Sequence, residues 1–327
     1  MVRLKHLSPE SKMDNTYLLV DGGYLLHRSY WGVQGLTAPN GMATNAIYGF
    51  LQGLKCALRT IHPKHVYVAW DCMRGDSVKS KLSKEYLEQG LITKGYKSSR
   101  NKTPDDIFIQ QEYIKAILTG LGIYQENRPN IEADDLIAGL CKALHIEGSS
   151  TSIISKVFIL SKDKDFFSLL RYPNVYMCAS TRGEWDIRSK KNMIDGVFPF
   201  EWQYFRALTG DSSDDIPGVP GIGPKKALQV IRSVSISDLI HYQKINHAPD
   251  VEDPQVLKLV EQIYESWALF LASYKLLALP AEEVYFDTLN FMPSNPRKDA
   301  VDRMLKALGI EEISASDIMR YTGGLIE

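Results

Sequence analysis

Three short apolar runs in this chain each lead into aspartate, and no other feature narrows its fold as much. The run "YLLV" ends on Asp21, "VYVAW" on Asp71, and "VFIL" on "SKDKD", which contributes Asp163 and Asp165. Unbroken apolar runs of this length read as strands buried on both faces, as in a parallel sheet. Between them lie stretches of helical spacing: Ile47, Phe50, Leu51, Leu54 and Leu58, then Leu136, Leu140 and Leu144 in a helix from about Glu132. Another helix is predicted from Thr103, with Thr103 as N-cap, Pro104 in the first position and Asp106 completing a capping box. Ile107, Ile114, Ile117 and Leu118 form its apolar face, and "IYQE" (123–126) adds a weak strand. This alternation predicts an α/β chain, a mainly parallel central sheet flanked by helices. Ligands of such sheets bind along the carboxyl edge, where the aspartate-bearing ends of neighbouring strands converge.

More acids join that edge. "IEADD" adds Glu132, Asp134 and Asp135 at a helix start, and "GDSSDD" adds Asp211, Asp214 and Asp215. Each motif alone has an ordinary explanation: aspartate after a strand is turn chemistry, acids in a first turn complement the helix dipole, and "GDSSDD" could cap the next helix. Their joint placement on one edge is not covered by those explanations. Crowded carboxylates raise one another's pKa and cannot all stay ionised without a counter-ion. A set made only of oxygen ligands, without His or Cys, favours Mg²⁺ or Mn²⁺ over Zn²⁺. Two such ions, about 4 Å apart, suit phosphodiester hydrolysis.

Directly after the last acids comes "GVPGIGPKKA", in which Gly218, Gly221 and Gly223 precede Lys225 and Lys226. The stretch reads as a helix–hairpin–helix turn that brings backbone N–H groups and a helix N-terminus to phosphate, with two lysines supplying charge. A net charge of −1 argues against nucleic acid only if charge is spread evenly. From 74 to 102 the chain has eight Lys or Arg against three acids, so a basic surface can lie beside an acidic pocket. The polar stretch 72–102 shows no compact-helix pattern and is expected to stand off the body. A hydrophobic content of 44% suits a globular chain; no apolar run reaches membrane-spanning length, and a cytoplasmic setting without membrane contact is expected. Cys56, Cys72, Cys141 and Cys178 have no CxxC spacing and read as reduced packing residues.

The stretches "LLVDGGYLLHRSY", "GLTAPNGMATNAIYGFLQGL", "GYKSSRNKTPDD", "IEADDLIA", "LSKDKDFFSLL" and "FRALTGDSSDDIPGVPGIGPKKA" resemble, in family order, the 5′-nuclease superfamily. The likeness is to the 5′→3′ exonuclease domain of bacterial family A DNA polymerases and to stand-alone phage and bacterial flap endonucleases. It covers about 16 to 234, more loosely to near 320. The chain ends about where polymerase relatives would continue, so the nuclease alone is expected.

The resemblance implies a PIN-like fold with a helical arch at about 72–103 inside an α/β catalytic domain (16–199). A 1–15 extension would precede it. A helical DNA-binding subdomain (200–290), with the helix–hairpin–helix at about 216–232, and a C-terminal segment (291–327) would follow. It implies one metal site from Asp21, Asp71, Glu132 and Asp134, a second from Asp165, Asp211 and Asp214, and Asp163 between them. Asp135 would lie outside the ligand set. Lys97 would contact the scissile phosphate, Arg100 would stabilise transition-state charge, Tyr96 would stack on an unpaired base, and Arg28 would stand near the site. A K⁺ ion on the hairpin carbonyls of 218–223 is a further family trait. The implied activity is Mg²⁺- or Mn²⁺-dependent cleavage of DNA at 5′ flaps, forks or 5′ ends by a monomer in a bacterial or phage-infected cell, in replication or repair. RNA–DNA primers are an additional substrate class. The alternative is a non-catalytic, structure-specific DNA-binding accessory protein. Two departures stand out: Asp215 replaces the family Asn, and the interval from Asp71 to Tyr96 is long and lacks the usual Phe-Arg pair.

Overall fold

Strand β1 (Thr16–Asp21) lies between two parallel neighbours, β2 (His65–Ala69) and β4 (Lys156–Leu160), and its residues 17–20 are buried. Tyr17 and Leu19 face one apolar core while Leu18 and Val20 face another, so an all-apolar run is what a strand covered on both sides requires. With β3 (Tyr124–Glu126), β5 (Val175–Thr181) and β6 (Glu184–Arg188) the sheet order is β3-β2-β1-β4-β5-β6, parallel except for the β5–β6 pair. The structure, a computed structural model, describes residues 15–73, 75–151, 155–181, 184–245, 251–286 and 295–321. Residues 1–14 of the expected extension, 291–294 and 322–327 of the C-terminal segment, and Arg74 lie outside the described residues.

One face carries α1 (Gly22–Gly32), α2 (Asn45–Ile61) and α4 (Asp105–Gly120), joined by α11 (Lys298–Ala307) and α12 (Ala315–Met319). The last two pack Val301, Leu305 and Ile318 into the same core as Leu18, so this part of the C-terminal segment belongs to the body. The other face carries α5 (Ala133–Thr151) and a 3₁₀ helix (Lys164–Arg171). The helices α6 (Trp202–Thr209), α7 (Pro224–Ser233), α8 (Ile236–Lys244), α9 (Pro254–Glu265) and α10 (Trp267–Leu276) follow, and their apolar faces are continuous with those of the sheet.

The structure differs from the sequence reading at three points. Helix α4 begins at Asp105 with Pro104 at the cap position and no side-chain cap; Asp106 accepts the Tyr30 hydroxyl at 2.9 Å instead of closing a box. Strands β5 and β6 are not among the anticipated elements: β5 does carry an apolar run, "VYMCA", while "EWDIR" of β6 alternates at the sheet edge. The stretch 72–102 does not stand off the body. It contains α3 (Val78–Glu88), capped by the Ser77 hydroxyl. Leu82, Tyr86, Leu91 and Ile92 form a small core with Ile216, Ala272 and Leu276. These apolar residues are spread among lysines, so the sequence reads as solvated although one side of it is buried. Tyr86→Ala should cost about 2 kcal/mol in urea unfolding and speed proteolysis within 77–96; unchanged cleavage would mean that this cluster does not hold the segment down.

Candidate active site

The three strand ends meet as the sheet order demands. Asp21 closes β1 and serves two purposes: Oδ1 accepts the Tyr24 amide at 2.9 Å, capping α1, and Oδ2 accepts the Ser161 hydroxyl at 2.9 Å. Ser161 Oγ also accepts the Asp163 amide at 3.1 Å, so one hydroxyl spans the β1 and β4 ends. Asp71 Oδ1 accepts the Ala133 amide at 3.0 Å, which ties the β2 end to the start of α5. Gly23 lies between the two aspartates. A Cβ there would sit 3.0 Å from Asp71 Oδ2 and 3.6 Å from Asp21 Oδ1, so any larger residue would push into the gap.

At the start of α5, Glu132, Asp134 and Asp135 each offer an oxygen within 4.8 Å of the others. Two ammonium groups answer them. Lys79 Nζ lies 2.7 Å from Asp134, 3.6 Å from Asp135 and 3.8 Å from Glu132, and Lys97 Nζ lies 2.9 Å from Glu132. Burial alone would raise Asp134, but Lys79 and Lys97 overrule it and hold the carboxyl below its ordinary value. Asp135 has no such surplus: burial and the Asp134 charge push it up to about 7. The Tyr96 hydroxyl donates to Glu132 at 3.0 Å, and Lys97 Nζ sits 4.6 Å above the Tyr96 ring. Tyr96 is thus part of the wall of this cluster.

In the second triad, Asp165, Asp211 and Asp214 likewise each offer an oxygen within 4.8 Å of the others. Asp165 is pushed up to about 7 by burial and by the charges of Asp163 and Asp214. Asp163 is open to solvent on one side, yet surrounding protein atoms raise its carboxyl, and it feels Asp134 of the first triad and Asp214 of the second. Here the cations are arginines: Arg206 of α6 pairs with Asp211, and Arg100 with Asp214. The turn around Lys97 docks on this loop. The Lys97 amide donates to the Asp214 carbonyl at 2.9 Å, and Asp215 accepts the Ser99 amide at 2.7 Å. Asp215 adopts φ 58°, a left-handed conformation that Asp and Asn tolerate better than most residues. Its carboxylate accepts from both the Ser98 hydroxyl and the Ser99 amide.

The hairpin glycines differ in role. A Cβ on Gly218 would lie 2.5 Å from the Thr209 carbonyl carbon, so this residue packs backbone against the end of α6. Gly221 takes a left-handed φ of 76°. Gly223 is the N-cap of α7, and a Cβ there would meet nothing within 4 Å, which leaves this one open to an approaching phosphate. Lys225 and Lys226 are exposed beside it, and Lys226 Nζ donates to the Gly221 carbonyl at 2.8 Å. Gln262 donates to the Pro220 carbonyl. Two of the hairpin carbonyls thus have side-chain donors, one an ammonium and one an amide.

Arg28 is not brought to the acids; its guanidinium donates to the Ser180 carbonyl at 2.9 Å. Four residues beside the acids were not among the sequence candidates: Lys79, Arg206, Ser161 and His27. Lys79 stands where the missing Phe-Arg pair would be sought, and only its three carboxylate partners distinguish it from the lysines around it. His27 is held below its ordinary value by burial and by Arg100, against the pull of Asp71.

Both triads are all-carboxylate and suit a hard divalent cation. Asp21, Asp135 and Asp165 all titrate near 7 in the folded chain, above the ordinary carboxylate value of about 4. Burial is the first cause for each; for Asp21 the Asp71 charge comes next, opposed by the Tyr24 amide. The folded state binds these protons more tightly, so their stabilising contribution is complete below about pH 4 and is lost as pH rises through about 7. In EDTA the Tm should therefore fall between pH 5 and 8, and Mg²⁺ should raise it more at pH 8 than at pH 5. A Tm that rises with pH in EDTA would contradict the raised carboxyls.

Residues 16–196 match the family described as the 5′-3′ exonuclease N-terminal resolvase-like domain. A 5′-3′ exonuclease of Aquifex aeolicus is 33% identical over 219 residues, 66% of this chain and 69% of that protein. The thermostable DNA polymerase I of Thermus thermophilus is 34% identical over 221 residues, but these make up only 24% of the polymerase. Among solved structures, the T5 5′-exonuclease with divalent zinc ions superposes with a TM-score of 0.57 at 17% identity, covering 95% of this chain and 98% of that one. The catalytic core of Rad2 in complex with DNA substrate gives 0.58 at 16%, covering 96% and 93%. These two share the PIN-like fold. A family match over more than half of its length, on a sheet whose carboxyl edge gathers the acids of that match, makes this chain a member of the 5′-3′ exonuclease family.

Proposed function

We propose that the chain is a structure-specific 5′-nuclease that hydrolyses phosphodiester bonds of DNA at 5′ flaps, forks and 5′ ends with two divalent cations. The observation that supports this reading best is the pair of carboxylate triads on one sheet edge, with Lys97 and Arg100 each against one of them. Glu132 and Asp134, with Asp21 and Asp71 beside them, would hold one ion; Asp165, Asp211 and Asp214 the other; Asp163 lies between. When bound, Mg²⁺ or Mn²⁺ supplies Lewis acidity toward water and the scissile phosphate.

The chain's own residues do the rest. Lys97 and Arg100 lie where the negative phosphate must approach, and each can exchange a carboxylate partner for a phosphate oxygen. Tyr96 orients Glu132 through its hydroxyl. Asp215 and the Asp214 carbonyl hold the 97–99 backbone, so the cationic turn keeps its distance from the acids. The open N-terminus of α7, with Gly223, Lys225 and Lys226, takes the duplex backbone without reading bases. Action as a monomer is part of this proposal. Phosphate contacts do not distinguish a 2′-OH, so RNA–DNA primers fit the same reading.

The test is incubation of the protein, with and without Mg²⁺, with a 5′-labelled flap and with matched duplex and single strands. A released flap of defined length only with Mg²⁺ is expected. Binding without cleavage would favour the accessory-protein alternative. Lys97→Ala should slow single-turnover cleavage about 10²-fold or more with duplex binding retained; an unchanged rate would remove Lys97 from the phosphate. Asp163→Asn should shift the Mg²⁺ dependence upward, and a superimposable titration would take Asp163 out of the site. Asp215→Asn should cleave at the wild-type rate, since its amide oxygen can still accept from Ser99, whereas Asp215→Ala should slow the reaction.

A further inference from the structure

Lys79 is the most enclosed cation of the acidic edge. Its side chain is 4% exposed, against 22% for Lys97 and 48% for Arg100. It sits in the first turn of α3, which is fixed at three points: Ser77 Oγ accepts the Ser80 amide at 3.1 Å, the Val78 amide donates to the Asn130 carbonyl at 3.0 Å, and Lys81 Nζ donates to Asn130 Oδ1 at 2.8 Å. Asn130 lies two residues before Glu132, so the helix start and the acidic cluster move as one unit. A buried four-carbon stem on a pinned helix gives the ammonium no route into solvent, unlike a surface lysine that changes partners freely.

Its partners need it. Glu132, Asp134 and Asp135 bring three carboxylates within 4.8 Å, with two ammonium groups against them among the described residues. Asp134 Oδ1 accepts the Asp135 amide at 2.8 Å, and Asp135 Oδ1 accepts the Ala281 amide at 2.7 Å. Neutral amides orient these oxygens but bring no full positive charge. Lys97 is positioned to leave for phosphate; Lys79 is not.

We propose that Lys79 is a resident counter-cation of the first acidic cluster: it lets the cluster fold without metal and, by the same charge, weakens the cluster's grip on a divalent ion. Lys79 is a positioning residue, since it acts through Asp134, Asp135 and Glu132 and touches no substrate. The inference rests on the two-metal reading above. Because a fixed charge of +1 stays in place beside an incoming dication, removing it must favour the ion and disfavour the metal-free fold; the two effects are linked through one equilibrium.

The experiment is calorimetric Mn²⁺ titration and thermal unfolding of the full chain for wild type, Lys79→Met, Lys79→Arg, and Lys79→Met combined with Asp135→Asn. If the wild type takes up no Mn²⁺, the two-metal reading itself fails. Given wild-type uptake, Lys79→Met should bind Mn²⁺ about tenfold more tightly, equivalent to about 1.4 kcal/mol, and unfold at lower temperature in EDTA. Lys79→Arg should titrate like wild type. Adding Asp135→Asn takes away one of the three crowded acids and should return the EDTA Tm toward wild type, since the amide oxygen still accepts from Ala281. Should Lys79→Met prove too unstable to titrate, the combined variant decides: uptake within about threefold of wild type is expected, since a cation and an acid are both gone. Equal or weaker Mn²⁺ binding by Lys79→Met, no recovery of Tm in the combined variant, or loss of its Mn²⁺ uptake would overturn the proposal.

Discussion

Repulsion among carboxylates on the carboxyl edge of the sheet is the constraint that the rest of this structure answers. Two triads of acids lie there, and the folded chain tolerates them by three means at once. Some oxygens cap backbone amides, as Asp21 does for Tyr24 and Asp71 for Ala133. Some groups keep their protons near neutral pH, as Asp21, Asp135 and Asp165 do. The remainder face fixed or movable cations: Lys79 and Lys97 at the first triad, Arg206 and Arg100 at the second. Each triad thus has one enclosed cation from the body and one from the 97–100 turn. A dication can take over the role of the movable members.

The topology explains why the acids can meet at all. In the order β3-β2-β1-β4-β5-β6, the chain winds outward from β1 to β3 and then returns to the other side of β1. The crevice where the winding direction changes lies between β1 and β4. Asp21 and Ser161 span it with a single hydrogen bond. Residues separated by 140 positions become neighbours because parallel strands end at the same level, here in the register Val20↔Leu160. Gly22 fits the same logic, since a Cβ there would lie 2.6 Å from the Trp70 ring, and the first turn of α1 could not then settle against the β2 end.

Much of this was legible in the residues, for reasons that can be stated. The central strands were readable because burial on both faces demands an unbroken apolar run, and "KVFIL" coincides with β4. The acids were readable because a strand end fixes their level in the sheet. What stayed hidden depends on contacts between distant segments. Nothing local separates Lys79 from Lys81 or Lys84; only the fold puts one of them against Asp134. The small core under α3 was hidden because Leu82 and Tyr86 are too few among lysines to show a period, and Ile216 and Leu276 complete it from far along the chain. The first triad contains Asp135 in place of Asp21 and Asp71, since a helix start crowds its own neighbours more tightly than adjacent strand ends do.

One stretch, 210–227, carries both acids and a glycine-rich turn followed by two lysines, and its geometry shows how the two are joined. The 211–216 turn is closed by paired hydrogen bonds between Asp211 and Ile216, of 2.7 and 2.9 Å. On one side it presents Asp211 and Asp214 to the second triad; on the other, Asp214 and Asp215 grip the backbone of 97–99. The hairpin then leads directly into α7, whose open N-terminus faces solvent. The loop that supplies negative charge therefore also fixes the nearest positive turn and leads into α7 with its exposed Lys225 and Lys226. A phosphodiester needs its anionic oxygens held by cations while the metal site stays within reach of its phosphorus. Carrying all three parts on eighteen consecutive residues and the turn they grip keeps those distances from drifting when the segments around them move.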